Sequence, residues 1–289
     1  MSAHSEDKSA FGIGLDWRDP LVRRIVSGVL LAALGLFVSA EGGWLLTAWL
    51  TLIGARMAFE WARLLTGMSW TLLTLIMGGT VAAAVLVGGW GRYEIAFAIV
   101  AAGAALGAVI ANRLHADPDG AALGVPYLAL PLIAFEWLGG ATPWSTATLY
   151  WMLLTTWGTD TFAWAGGKLI GGPRLWPEVS PKKTWAGMAG GFLGGLTGGL
   201  IVGIAVGVEQ PLIVAGLSLV AAAVAQVGDL AESGLKRRFH VKDAGQIIPG
   251  HGGVLDRLDS MIAVVVVTAV YTIIVPAGPL GEGWQEWLK

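Results

Sequence analysis

The chain has 289 residues, of which 55% are hydrophobic and only 13% charged, with a formal net charge of -2 and a mean hydropathy of +0.68. Soluble domains carry roughly 25% charged residues, so about half the usual charge is missing and a water-exposed globule is excluded. The apolar runs are about twenty residues long and rich in Leu, Ala, Val and Gly, which excludes a transmembrane barrel built from strands of about ten residues with alternating polarity. The absence of cysteine removes disulfides, thiolate metal sites and cysteine nucleophiles.

Taken in order, Met1 to Pro20 reads as a polar, acidic tail without the pattern of a cleavable signal, so the first span is expected to act as an anchor. Span one is expected over Ile25 to Ala40, and a Glu41-Gly42-Gly43 turn leads into span two, about Trp44 to Leu65. Arg56, Glu60 and Arg63 recur at one-turn steps near its end, the pattern of a helix emerging from a membrane. Spans three and four follow at Ser69 to Val87 and Tyr93 to Ile110, and Asn112 to Gly120 reads as a loop. Span five covers about Ala121 to Leu138, with Pro126 and Pro131 expected to bend it. Span six, about Thr146 to Leu169, carries Asp160 inside it. After a polar, proline-containing segment from Gly171 to Gly187, span seven runs from Trp185 to Val208 with a dense set of glycines that lets another helix approach closely. Span eight is expected at Pro211 to Leu230, and span nine at Met261 to Val275, beginning one or two turns earlier near Val254.

Nine spans put the termini on opposite sides. With the N-terminus in the cytoplasm, sixteen of the 18 basic residues fall there, leaving only Arg92 and Lys289 outside. That is the positive-inside bias, and an error of one span would scramble it. The expected fold is therefore all-α, one integral membrane domain over 1–289: a cytoplasmic tail (1–20), N-terminal spans (21–145), and spans 146–289 whose charged loops face the cytoplasm.

The chemistry concentrates between Gln226 and Ser260. Asp229, Glu232, Ser233, Lys236 and Arg237 stand at three- and four-residue steps and form one polar stripe if the helix continues; the plainer alternative for Glu232 and Lys236 alone is a solvated i,i+4 pair. Asp256 and Asp259, three apart, can share a hard divalent cation, or simply begin a helix whose dipole favours acids. In the preceding PGHGG, Gly252 and Gly253 let backbone amides approach a phosphate, with His251 beside them as a donor. Lys242 and Asp243 add a base and an acid, and Lys236, Arg237, Lys242 and Arg257 together can neutralise a triphosphate. The constellation reads as metal-assisted phosphoryl or nucleotidyl transfer, or as polyphosphate binding; no GxxxxGK[ST] loop is present. Asp160 is an intramembrane carboxylate and so a functional candidate, with a helix-packing hydrogen bond as its plainer role. Ser180, Lys182, Lys183 and Thr184 lie in a basic loop suited to a lipid headgroup, a substrate phosphate or a plain cytoplasmic anchor.

The stretch Ser233 to Asp259, SGLKRRFHVKDAGQIIPGHGGVLDRLD, resembles the signature of the phosphatidate cytidylyltransferases, or CDP-diglyceride synthases, at thirteen positions in one 27-residue window. TDTFAWAGGKLIG and SPKKTWAG extend the likeness to about Asp160 to Ser260, with one departure at Ala186, where relatives usually carry Glu. The resemblance implies a multi-pass enzyme of the bacterial inner membrane, active at the cytoplasmic face. It would make CDP-diacylglycerol and pyrophosphate from CTP and phosphatidic acid with Mg2+, for phospholipid biosynthesis. On this reading Asp229, Asp256 and Asp259 surround the metal with Asp243 close by. Lys236, Arg237, Lys242 and Arg257 neutralise phosphates, Ser233 and His251 add hydrogen bonds, and Ser180, Lys182, Lys183 and Thr184 meet the lipid phosphate. Spans seven to nine are expected to form a cavity from cytosol to lipid. Membrane lipids are expected neighbours, nucleic acid is not an expected partner, and the glycines of span seven are compatible with a homodimer. An anionic-solute transporter and a CTP-dependent lipid kinase stand as alternatives.

Overall fold

The structure, a computed structural model, describes residues 20–140, 145–208, 210–239, 245 and 252–274. Among them are nine helices, α1 (Pro20–Glu41), α2 (Gly43–Thr66), α3 (Leu72–Gly89), α4 (Tyr93–Arg113), α5 (Pro118–Gly140), α6 (Ser145–Leu169), α7 (Trp185–Ala205), α8 (Pro211–Arg238) and α9 (Leu255–Ile274). Between α6 and α7 lies one hairpin, β1 (Arg174–Trp176) and β2 (Ser180–Thr184). Helices α3, α4, α5, α7, α8 and α9 are long and apolar enough to cross a membrane, and α1 holds a shorter apolar stretch, Val26–Glu41. The protein is an all-α, multi-pass membrane protein. Helices α2 and α6 fall outside that apolar set, and they are the two that carry Arg56, Glu60 and Arg63, and Asp160, into the bundle.

Local signals account for the helix ends. Thr71 accepts from Thr74 N at 3.1 Å while Thr74 Oγ1 accepts from Thr71 N at 3.3 Å, a reciprocal cap that starts α3. Asp117 accepts from Gly120 N at 3.1 Å and Pro118 takes the first helical position, so α5 begins three residues earlier than expected. The polar stretch Asn112 to Gly120 is thereby mostly helix, with Leu114 to Asp117 left as the connection. Helix α5 runs through both Pro126 and Pro131, which neighbouring helices in a membrane bundle tolerate.

The segment Gly171 to Gly187, expected as a loop, instead folds back on itself. Arg174 pairs with Thr184 and Trp176 with Ser180, with an irregular register between them. A two-stranded ladder leaves every residue on an edge, so Pro181 is accommodated without losing a required donor.

Helices α6 and α7 run antiparallel in unusually close contact. A Cβ added at Gly190 would come within 2.5 Å of Phe162 O, and at Gly187 within 2.9 Å of Ala163 O. At Gly194 and Gly198 it would collide with the carbonyls of Gly158 and Leu154. The pairs at Gly190, Gly194 and Gly198 advance by four residues on each helix, as a small-residue seam between membrane helices does. A second row, Gly191, Gly195 and Gly199, meets Gln226, Ala222 and Ser218 of α8. Glycine within a helix costs about 0.5–1 kcal/mol relative to Ala, and here the close approach offsets that. The glycines that made a homodimer conceivable are used within one chain. Replacing Gly194 by Val is expected to lower stability in detergent by at least ~1–3 kcal/mol, while Gly216→Ala in α8, where an added Cβ meets open space, should be neutral or slightly stabilising. Equal thermal melts for the two variants would contradict the seam.

Candidate active site

Helix α8 does not stop near Leu230 but continues to Arg238, and this extra length builds the polar stripe expected from the sequence. Ser233 Oγ donates to Asp229 Oδ1 at 3.4 Å, and Lys236 Nζ lies 3.5 Å from Glu232 Oε1. The Glu232–Lys236 pair is therefore present, but it is not solvated. Glu232 is 1% exposed, and neither of its oxygens receives a hydrogen bond. Arg237 points outward on the exposed last turn.

Helix α9 brings its acids to the same place. Lys236 Nζ donates to Asp256 Oδ1 at 2.9 Å, so α8 and α9 are joined by a largely buried ion pair. Asp256 also accepts from Gly253 N at 2.9 Å, capping its own helix. Asp259 is buried, accepting from Ser260 N at 2.7 Å. Ser260 Oγ is 3.2 Å from Asp160 Oδ1 and 3.4 Å from Asp259 Oδ1, one hydroxyl standing between carboxylates of α6 and α9. Asp160, Asp229 and Asp259 lie within one another's electrostatic reach. Asp160 therefore stands beside the acids of α8 and α9.

The hairpin supplies the opposing charge. Lys183 Nζ reaches Asp229 Oδ2 at 2.8 Å. Its neighbours do other work: Thr184 Oγ1 accepts from Gly187 N at 3.0 Å and caps α7, Ser180 pairs in the ladder, and Lys182 is exposed. Ala186, in the first turn of α7, puts its carbonyl against Gly166 of α6.

The expectation that Gly253 offers its amide to a phosphate meets a carboxylate instead, because Asp256 has taken that amide. Gly252 has a left-handed φ of 82°, and a Cβ there would approach Asp256 Oδ2 within 3.1 Å. These glycines let backbone come close to an acid of the protein itself. Lys242, Asp243 and His251 lie outside the described residues.

A cavity of about 520 Å3 opens from this cluster. Asp160, Asp256, Arg257 and Asp259 line its polar end; Leu31, Leu50, Leu132, Leu153, Ile262 and Val265 line the rest. Its walls come from α1, α2, α5, α6 and α9, so of the expected spans seven to nine only the ninth lines it. The reason is packing: the glycine seams draw α6, α7 and α8 together.

Among the described residues no three acid or histidine side chains close around one point. The donor set nonetheless suits Mg2+, which is commonly held by one or two carboxylates with waters and substrate phosphates completing the shell. Asp160 and Asp259, joined through Ser260, form such a pair, with Asp229 nearby. Five acids here face Lys183, Lys236 and, at the cavity mouth, Arg257, and a buried carboxylate with no base beside it is stable either protonated or against a cation.

Two acids named in the sequence were not assigned to the site. Glu232 fitted both the polar stripe and a solvated pair, because its burial depends on α9. Glu60 of α2 is 1% exposed and accepts from Val254 N at 3.1 Å and Leu255 N at 2.9 Å; its only advance signal was an acid one turn after Arg56 in an otherwise apolar helix.

Fold and site together define a membrane-embedded protein that sets carboxylates and bases for polyphosphate chemistry beside an apolar cavity. The chain belongs to the cytidylyltransferase family, whose model matches residues 22–275. It is 32% identical over 253 residues to a phosphatidate cytidylyltransferase of Brucella abortus biovar 1 (strain 9-941), covering 84% of this chain and 90% of that protein. It is 31% identical over 252 residues to the Bacillus subtilis (strain 168) phosphatidate cytidylyltransferase, covering 84% and 94%. A Staphylococcus aureus (strain COL) protein of the same name matches at 43% over 117 residues, 40% of this chain and 45% of that one.

Removing one partner of a buried ion pair typically costs about 3–5 kcal/mol. Lys236→Met should therefore destabilise the protein strongly in detergent, and adding Asp256→Asn should restore part of the loss. Simple additivity of the two losses in melting or denaturant experiments would show that the pair is not coupled.

Proposed function

We propose that the protein transfers the cytidylyl group of CTP to phosphatidic acid, forming CDP-diacylglycerol and releasing pyrophosphate. The observation that carries this reading is the placement of Asp160, Asp256, Arg257 and Asp259 at the mouth of an apolar cavity in a chain of the cytidylyltransferase family. A phosphate oxygen of phosphatidic acid attacks the α-phosphorus of CTP, and the bond from that phosphorus to the oxygen bridging the β-phosphate breaks. The lipid supplies the nucleophile, so the protein's work is alignment and charge stabilisation.

The apolar cavity receives an acyl chain while the headgroup stays at its polar end. Lys183, Lys236, Arg237 and Arg257 neutralise phosphates, with Lys182 and Lys242 flanking. A bound Mg2+ would supply positive charge against that developing on the phosphate oxygens. Asp160, Asp229 and Asp259 are the residues to hold it, with Asp256 joining them if Lys236 leaves. Two lysines of the site are paired with aspartates, Lys183 with Asp229 and Lys236 with Asp256. In the reaction Lys183 and Lys236 would turn from these aspartates to the substrate phosphates. The topology we infer is nine crossings in a bacterial inner membrane, with the N-terminus and the site facing the cytoplasm.

Transfer of radiolabel from CTP to phosphatidic acid in liposomes with Mg2+ is the direct measurement. Asp259→Asn should lose at least ~100-fold in kcat, as when a principal electrostatic stabiliser is removed, and a chelator should abolish turnover. Full activity in that variant would remove Asp259 from the metal assignment. Release of CDP in place of pyrophosphate would identify a lipid kinase, and flux of an anionic solute without product a transporter. Because the chain has no cysteine, topology is open to single-cysteine labelling. In inner-membrane vesicles, His115→Cys should label only from the cytoplasmic face and Arg92→Cys only from the opposite one; the same face for both would refute the nine-crossing topology.

A further inference from the structure

Glu60 lies in the N-terminal half, where the sequence offers no phosphate chemistry, yet its carboxylate contacts the start of the helix that carries Asp256 and Asp259. Oε1 accepts from Val254 N at 3.1 Å and Oε2 from Leu255 N at 2.9 Å. Arg56, one turn earlier on α2, holds Oε1 at 2.9 Å. The backbone is shaped to admit this carboxylate: a Cβ at Gly253 would lie 2.6 Å from Oε2, and one at Gly245 would collide with Oε1. The two glycines also touch each other, since a Cβ at Gly253 would come within 2.8 Å of Gly245 N.

Three successive amides at the start of α9 are thus held by carboxylates from two sources. Gly253 N is capped from within the helix by Asp256, and Val254 N and Leu255 N are clamped by Glu60 across 194 and 195 residues. Asp256 continues the connection to Lys236, so α2, α9 and α8 are joined through one run of charged contacts. As a device for stability alone this is a poor design. Burying a carboxylate in the bundle costs more than an ordinary helix cap returns, and Asp256 already caps α9. What Glu60 adds is a fixed rotation and height for the first turn. Each residue of slip would swing that turn by about 100°, carrying Asp256, Arg257 and Asp259 out of line together.

We propose that Glu60, seated by Arg56, is a positioning residue for the reaction: it sets the first turn of α9 so that the acids and Arg257 face the substrate. This rests on the cytidylyltransferase reading. Reaction geometry is sensitive enough for it to matter, since a misplacement of about 1 Å can cost ~100-fold.

The test uses the full chain in detergent or liposomes with Glu60→Gln, Glu60→Asp and the charge-balanced pair Arg56→Met with Glu60→Gln. Gln keeps the shape but replaces one acceptor by a donor; Asp keeps the charge but withdraws it by one methylene. All three should lower kcat about 100-fold while KM for CTP moves far less. Amide hydrogen exchange in 253–258 should accelerate, with thermal melting of the charge-balanced pair close to that of the unaltered protein. Wild-type kcat in Glu60→Asp would overturn the proposal by showing that charge alone suffices. So would a loss of activity that merely follows loss of folded protein in the charge-balanced pair. If the unaltered protein transfers no label, the cytidylyltransferase reading falls and the role in reaction geometry falls with it. Unchanged exchange in Glu60→Gln of an active protein would instead overturn the positional role alone.

Discussion

Five carboxylates, Asp160, Asp229, Glu232, Asp256 and Asp259, are gathered where α6, α8 and α9 meet the hairpin, with Lys183 paired to Asp229 and Lys236 to Asp256. Much of the remaining architecture follows from keeping such a cluster in place beside a membrane. Charges this close repel unless countered, and water cannot screen them well where side chains are largely buried. The lysines come from different elements, one from β2 and one from α8, so the balance exists only when hairpin and helices are assembled.

The packing that surrounds the cluster divides the labour between helix pairs. The glycine rows of α7 press its backbone against α6 and α8. The space that remains lies on the other side of α6, against α1, α2, α5 and α9, and there the apolar cavity forms with its polar end at the acids. The N-terminal half is therefore no mere anchor. It supplies most of the wall that suits an acyl chain, and through Glu60 it reaches the backbone of the catalytic half.

Much of this was legible beforehand. Apolar runs of membrane length marked each helix to within a few residues, because twenty apolar side chains in lipid have almost no alternative to a helix. The exceptions are instructive. Helix α8 outran its apolar stretch since Glu232 and Lys236 are buried by α9, and no local pattern reports what a distant helix will cover. The hairpin from Arg174 to Thr184 was hidden by its prolines, which argue against strands in a sheet interior but not on a two-stranded edge. Gly252 and Gly253 were recognised as places of close approach, but the approaching group is carboxylate where phosphate was expected, and composition does not distinguish one oxyanion from another.

By itself, then, the chain's order of residues determined that it is helical, that it lives in a membrane, and that its acids and bases are concentrated between α8 and α9, since these depend on local composition and spacing. Which acid meets which base, which helices enclose the cavity, and that Glu60 grips amides nearly two hundred positions away were decided only by the assembled bundle. Such pairings are set by how close two backbones can come, and that distance depends on glycines and side-chain volumes contributed by both partners at once.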